Sequence, residues 1–429
     1  MIKFGFLSIV IIFVITSCNN LKTNDNKFSS SDKIIKLETI KHKGCGLFVP
    51  SAGFLHFQEP PKNYLGLEFK LPNNIDSIKI ATTILDIKPV IYRNFKNGGD
   101  TASFNYSVTK FSIDTASIPK QEIKQNYLSI IRGFINDSTI IIVDQNNNRD
   151  FTDDTIRAIK PMQWKSEKSL IGFNYQIFNG SKVVPAFSWV NIGESKGNSG
   201  LVSFVSQYVS STFSIDDNSY TLAVSDGQWN CSFDEITIAL VEENGIKKDS
   251  LITPDYLKRG EYLKLGSQYY RFDNISNDGS RITLIKEDNF ESKIGTQIGM
   301  IAPDFTTKSI TGNVISSKDF KGQYLLLSNL TGCWSKISSY QHYKDMTEYL
   351  NGKLNFVGID NSTESLLTNI KNLNLPGQFT FAEQNKDNIQ KFYRPDFSSR
   401  TCFLINPTGR IIDKFEISDW KSALSKHFK

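Results

Sequence analysis

The feature that most constrains the fold of this chain is a change of rhythm near Lys293. Before it, runs such as SIKIATTI (77–84), STIIIVD (138–144), YTLAVSD (220–226) and SRITLIKE (280–287) alternate with Gly, Asn and Asp turns. That is the period and punctuation of strands. NDGS at 277–280 stands between two such runs as a hairpin turn would. No long helical periodicity competes, so residues 34–291 are expected to be mainly β, in one or two modules. After Lys293, strand and helix alternate. QYLLLSNL (323–330), LNFVGID (354–360) and QFTFAE (378–383) read as strands. WSKISSYQHYKDMTEYLNG (334–352), STESLLTNIKNLN (362–374) and NKDNIQKFYR (385–394) read as helices. TCFLINP and RIIDKFEI then form a hairpin across Pro407-Thr408-Gly409, and a last helix starts near Asp419. The expected class is α+β multidomain, a mainly β amino-terminal region followed by a layered α/β domain over 294–429.

A length of 429 residues exceeds one ordinary domain, and 31 Phe supply core material for more than one. The formal charge of +5 comes from 49 basic and 44 acidic residues without a concentrated Lys/Arg block. Nucleic acid is therefore not an expected partner. The first twenty residues, MIKFGFLSIVIIFVITSCNN, hold one Lys and then an apolar stretch too short for a comfortable membrane span. They have the form of an export signal. Ile15-Thr16-Ser17-Cys18 resembles a bacterial lipobox, which implies a signal peptide over 1–17, lipidation of Cys18 and a polar tether over 18–33. The alternative is a secretory signal with a chance cysteine. With a lipid anchor the chain faces the periplasm from a membrane of the cell envelope. Asn19, in place of the aspartate that often signals inner-membrane retention, favours the outer membrane.

With Cys18 used by the anchor, Cys45, Cys231, Cys333 and Cys402 remain. Four thiols allow three complete pairings, and spacing does not choose among them. Export permits disulfides, and Cys45–Cys231 with Cys333–Cys402 is the simplest assignment by region.

IGMIAPDFTTKSITGNVISSKDFKGQYLLLSNL (298–330) resembles the opening of the TlpA/ResA and AhpC/TSA group of the thioredoxin superfamily. The parts that carry the resemblance are Gly299, Ala302-Pro303-Asp304-Phe305, Gly312, Phe320-Lys321-Gly322 and the apolar strand that follows. A second block, SSRTCFLINPTGRII (398–412), is similar to the group's strand, Gly-containing turn and return strand. The resemblance covers roughly the last third of the chain and implies a thioredoxin-like domain. Fold alone does not imply chemistry.

In redox members of the group a cysteine begins a helix, where free N–H groups and the helix dipole favour thiolate. A second cysteine one turn on resolves the mixed disulfide. Cys333 fills the first position here, and Lys336 stands at the second. An ammonium there favours the thiolate but cannot close a disulfide. In the other register, Trp334 and Ile337 fall on the cysteine positions, so the dithiol motif is absent in both. Where the group has a cis-proline, this chain has Arg400. Peroxiredoxins carry an arginine in such a context to support the reactive thiolate, but their Thr three residues before the cysteine is Leu330 here. Cys402 lies two residues past Arg400, on the same strand face. It is either a distant resolving thiol or a buried small apolar residue. The candidate catalytic set is thus Cys333, Arg400, Lys336 and Cys402, and no cofactor is required.

One further stretch invites a ligand. In VDQNNNRDFTDD (143–154), Asp144, Asn146, Asn148 and Asp150 alternate as in the first half of an EF-hand-type loop, with Asp154 beyond them. Calcium is the cation such oxygens suit. Arg149 replaces the turn glycine, however, and Thr155 stands where a bidentate Glu should close the shell. The other explanation is that Asn/Asp clusters make turns and satisfy their own backbone. A weaker echo occurs at Asp226, Gln228, Asn230 and Ser232, with Phe233 matching Phe151. His42, His56, His342 and His427 have no zinc-like spacing.

Two classes of function follow. One is a thiol-disulfide or peroxide-related redox activity centred on Cys333, acting on envelope protein thiols. The other is a non-catalytic binding or scaffold protein whose thioredoxin-like groove, with Trp334 at its rim, holds a peptide or glycan.

Overall fold

The computed structural model describes residues 26–60, 66–110, 118, 119, 123–196, 200–233, 236–330, 337–350, 352–360, 363–381, 388–393 and 400–428. Cys18, Cys333, Trp334 and Lys336 lie outside them. Among the described residues no helix is long and apolar enough to cross a membrane.

The β-rich region contains two layered pairs of sheets. In the first, a sheet built around Gln207–Ile215, Asn218–Ser225 and Thr237–Glu243 faces one built from Tyr262–Leu265, Gln268–Ile275, Arg281–Glu287 and Ile34–Glu38. Alternate residues of each meet in one core: Val209, Phe213, Leu222 and Val224 pack with Ile35, Leu37, Phe272 and Leu284. In the second pair, Ile171–Phe178, Val183–Glu194 and Leu201–Val205 form a sheet edged by Gly53–Phe54. Its Phe173, Tyr175 and Ile177 pack on Leu128, Ile130 and Val143 of the sheet Asp76–Ile84, Tyr127–Ile135, Ser138–Val143 and Arg157–Ala158. The expected NDGS turn joins Gln268–Ile275 to Arg281–Glu287, with Gly279 at φ 75° where a Cβ would collide with the Phe233 ring.

Three expectations need correction. Ile87–Lys96 and Thr101–Lys110 are helices inside the region read as strands, and the rings of Phe95 and Phe104 stack between them at 4.0 Å. The stretch assigned as tether is partly structured. Asn26–Phe28 pairs in parallel with Phe213–Ile215, and Ser30 N–H donates to Asp216 at 3.0 Å. Cys45 and Cys231 are free thiols, as is Cys402, so neither anticipated disulfide forms from them. Each is buried against hydroxyls or apolar groups that satisfy it: Cys45 Sγ lies 3.5 Å from Ser206 Oγ, and Cys231 belongs to the second sandwich core.

The carboxy-terminal sheet runs Gln378–Phe381, Asn355–Asp360, Leu325–Asn329, Thr401–Ile405, Ile411–Glu416. The first three strands are parallel and the last two antiparallel. Period two splits its side chains between two cores. Leu326, Cys402, Leu404 and Phe415 meet Tyr340, Tyr343 and Met346 of the Ile337–Tyr349 helix, with Trp420 and Leu424 of the last helix. Leu325, Leu327, Phe403 and Ile405 meet Ile389 and Tyr393 on the other face, with Phe305 and Phe320. A central strand buried on both sides is mainly apolar, which is why LLL opens this one, with buried Ser328 and Asn329 at its end. This strand order and two-sided cover are the thioredoxin-like layering that the sequence resemblance implies.

Candidate functional site

The parallel strands Leu325–Asn329 and Asn355–Asp360 end at one pole of the sheet, and the segment carrying Cys333 leaves from it. Carboxyl ends of parallel strands gather loops and helix starts, so this pole collects the polar side chains of the domain. Asn329, almost fully buried, ties three elements together. Its Nδ2 donates to the carbonyls of Tyr393 and Thr401, each at 2.9 Å, while its buried Oδ1 has no hydrogen-bond partner among the described residues. Tyr340, in the first turn of the Ile337–Tyr349 helix, donates its hydroxyl to buried Asp360 on the neighbouring strand.

Arg400 reaches the same pole. Its Nη1 lies 3.3 Å from Ser339 Oγ, at the start of the helix that follows Cys333. The guanidinium is thus near the helix start, as the sequence suggests, but it is not free. Arg400 Nε sits 2.9 Å from Glu416 Oε1, with both side chains about one quarter exposed. Burial raises the Glu416 carboxyl above its usual range, and Arg400 pulls it back. A charge-assisted pair of this kind divides the guanidinium's field between Glu416 and anything else at the pole.

Cys402 sits on the face foreseen, toward the Ile337–Tyr349 helix, but it is sealed. Its relative exposure is 0%. Burial pushes its thiol up to about 12, with the Ser328 hydroxyl working the other way. A thiol so buried and so weakly acidic is a poor nucleophile and a poor leaving group. The resolving role expected of Cys402 is therefore opposed by its surroundings, and the packing role stands. Cys333 and Lys336, the other two members of the set, lie outside the described residues.

Sequence reasoning missed Glu416, Ser339, Asn329 and Asp360. Glu416 was within reach: the Pro407-Thr408-Gly409 hairpin sets Thr401 opposite Glu416, one position from Arg400. Asn329 and Asp360 are the polar last residues of two mainly apolar strands, a weaker signal.

The 144–154 loop takes the tight turn its spacing suggests. Arg149 adopts φ 67° in the glycine's place. The side-chain oxygens converge, and what they converge on are the loop's own N–H groups. Asp144 accepts from Asn148 at 3.1 Å and Arg149 at 2.9 Å, Asn146 from Asn148 at 3.1 Å, and Asn148 from Asp150 at 2.7 Å. Asp150 pairs with Lys70 at 2.7 Å, which pulls its carboxyl down to about 2. Asp154 accepts from Gln145 N–H at 3.1 Å, and burial lifts its carboxyl to about 6. Among the described residues, no group of three or more His, Cys, Asp or Glu is gathered to hold a metal ion. These bonds are the Asx-turn pattern that explains such clusters without a cation.

In the echo loop, Asp226 is drawn fully inside instead. Its Oδ2 accepts from Gln207 Nε2 at 2.5 Å, Gln207 Oε1 accepts from Ser188 Oγ at 2.8 Å, and Gln228 N–H donates to Oδ1 at 3.1 Å. Burial lifts the Asp226 carboxyl to about 7, with the Gln207 bond opposing.

No family model matches the chain, and the search of curated proteins gives no match either. Solved structures do resemble part of it. The thioredoxin domain of a thiol-disulfide oxidoreductase from Bacteroides vulgatus is 20% identical, with a TM-score of 0.27, over 31% of this chain and 98% of that one. A thiol-disulfide oxidoreductase from Bacteroides fragilis is 22% identical, with a TM-score of 0.25, over 28% and 93%. A thiol:disulfide interchange protein from a Bacteroides species is 18% identical, with a TM-score of 0.26, over 30% and 89%. These likenesses, at TM-scores of 0.25 to 0.27 and over less than a third of this chain, carry no argument about what it does.

Proposed function

We propose that the chain is an envelope lipoprotein, anchored through Cys18, whose thioredoxin-like domain performs single-cysteine thiol-disulfide exchange at Cys333. The observation that supports this most is the position of Arg400, 3.3 Å from Ser339 in the first turn of the helix that follows Cys333. A guanidinium and a helix amino terminus at one pole both favour a thiolate. In the exchange, the Cys333 thiolate attacks a substrate disulfide R–S–S–R′. A Cys333–S–S–R bond forms, and R′–S⁻ leaves and takes a proton from water. With Cys402 sealed and Lys336 at the usual resolving position, a second thiol from solution must cleave that mixed disulfide. It forms a disulfide with R and returns the Cys333 thiolate.

A binding role for the same groove is the second reading, favoured by the Arg400–Glu416 pair, which spends part of the guanidinium's field. Alkylation kinetics with iodoacetamide, followed by mass spectrometry, separate the two. For exchange, Cys333 reacts with a midpoint below that of free cysteine (about 8.5) and forms a stable adduct with oxidised glutathione, while Cys333→Ser does neither. A midpoint at or above the free value, with no adduct, leaves only the binding role.

A further inference from the structure

The chain enters the first sandwich along one of its edges. Asn26–Phe28 pairs in parallel with Phe213–Ile215, and Phe28 packs into the core beside Phe213. After a turn at 29–33, Ile34–Glu38 is the edge strand of the facing sheet, paired with Arg281–Glu287. Only Thr39 separates it from Ile40–Lys43, which returns to the first sheet and pairs with residues 207–210. Residues 26–43 therefore close a single side of the sandwich. The turn is held as well: Ser30 N–H donates to Asp216, and Lys286 Nζ donates to the Ser30 carbonyl at 2.8 Å.

Seven residues, 19–25, separate Cys18 from Asn26. Fully extended, such a segment reaches about 27 Å, and as a flexible coil its ends lie roughly 16 Å apart. The far edge of the same sheet, Ile246–Lys247, lies four strand spacings away, about 19 Å. With a lipid on Cys18, the 26–43 edge is the side kept near the bilayer.

Charge marks the same side. Lys27, Lys33 and Lys36 are exposed and enter no ion pair among the described residues. They straddle the edge, since Lys27 belongs to one sheet, Lys36 to the other and Lys33 to the turn between. The carboxylates beside them are engaged: Asp32 accepts from Ser29 N–H at 2.8 Å, and Glu38 pairs with Arg281 at 2.8 Å. At the far edge the lysines are matched instead, Lys247 with Glu242 at 4.0 Å and Lys248 with Asp255. Unmatched lysines close to anionic lipid are drawn to it, and salt screens the attraction.

We propose that the 26–43 edge is a membrane-docking surface, seated on anionic phospholipid by Lys27, Lys33 and Lys36. The proposal rests on the lipid anchor inferred above and adds an orientation to it: the sandwich stands edge-on, with Ile246–Lys247 turned away from the lipid.

Mass spectrometry of the amino-terminal peptide first establishes the lipid on Cys18. The lipidated chain then carries Cys333→Ser, which leaves Cys45, Cys231 and Cys402 buried, and takes one fluorophore through Ile40→Cys or Ile246→Cys. Both isoleucines are exposed, at 53% and 77%, and stand on opposite edges of one sheet. The vesicles hold phosphatidylcholine, phosphatidylglycerol and a nitroxide-headgroup lipid, a short-range quencher. The label at position 40 is expected to be quenched about threefold more than that at 246. Replacing Lys27, Lys33 and Lys36 together by Gln, or omitting phosphatidylglycerol, should bring that ratio to about one. The lipid comparison keeps the native lysines, so it decides even where the triple variant misfolds. Equal quenching at the two positions, or a ratio indifferent to phosphatidylglycerol, would overturn the docking surface and leave the anchor standing. A chain without lipid on Cys18 would overturn the anchor and the docking surface with it.

Discussion

The two halves of the molecule treat buried polarity differently. In the β-rich region a carboxylate is taken inside the protein, where Asp226, Gln207 and Ser188 form a chain of hydrogen bonds between sheets. In the carboxy-terminal sheet the faces are mainly apolar, buried Asp360 is held at a strand end by the Tyr340 hydroxyl, and the charged pair Arg400–Glu416 sits at that same pole, about one quarter exposed. The first arrangement fixes how two sheets sit on each other. The second leaves charge where it can act on a neighbouring group. A polar network wholly inside is a feature of architecture; a polar network at a pole is available to chemistry.

The comparison breaks most visibly through the two cores. Leu222→Ala and Leu326→Ala each remove a fully buried side chain and should cost about 2–5 kcal/mol. In calorimetry, each should move its own transition if the two regions unfold separately. A common shift would make them one cooperative unit.

The next effect is a pH dependence carried by Asp226. Its carboxyl in the fold lies at about 7, above its ordinary 3.8, so the folded state holds the proton more tightly than the unfolded chain. Its contribution is therefore full below the unfolded value and is lost as pH rises through about 4 to 7. The slope is at most about 1.4 kcal/mol per pH unit. Denaturant melts across that window should show the decline in the parent chain and not in Asp226→Asn.

Arg400→Met sharpens the other side. Removing the guanidinium leaves half-buried Glu416 uncompensated and should destabilise by about 1–2 kcal/mol after allowance for solvent screening. If Arg400 also serves the thiolate, alkylation of Cys333 should slow at pH 7. An unchanged rate would make Arg400 a structural tie alone.

The smallest effect is expected at the 144–154 loop. Most of its side-chain oxygens already receive N–H donors, so calcium or a chelator should leave the melting temperature within error. A rise that saturates with calcium and disappears in Asp144→Asn would establish a site there.

How much of this could be read from the residues depended on what each pattern encodes. The strands Leu325–Asn329 and Asn355–Asp360 were legible because strands buried on both faces carry apolar runs, here Leu325–Leu327 and Phe356-Val357. The hairpin at NDGS was legible because Gly279 must adopt a positive φ against the Phe233 ring. Ile87–Lys96 was legible in principle, since Ile87, Val90, Ile91 and Phe95 recur at helical spacing, but ten residues with Pro89 in the first turn make a short signal among strand patterns. The sulfur pairing failed for a different reason. Spacing reports nothing about where each thiol is buried: Cys231 and Cys402 enter separate cores, and Cys45 lies against the Ser206 hydroxyl. At the candidate site, Arg400 was marked by the resemblance and the face of Cys402 by period two, whereas the partner that claims the guanidinium depends on a hairpin register across a bulge between Leu404 and Ile405.

Three unpaired sulfurs locked in three places have a practical meaning for how the chain folds. No covalent staple among them has to form in the right order, so maturation should need neither an oxidant nor a shuffling catalyst for these positions. Strong reductant should leave the midpoint of unfolding where it was. The shape would then rest on packing alone, indifferent to the electron supply of whatever compartment receives it.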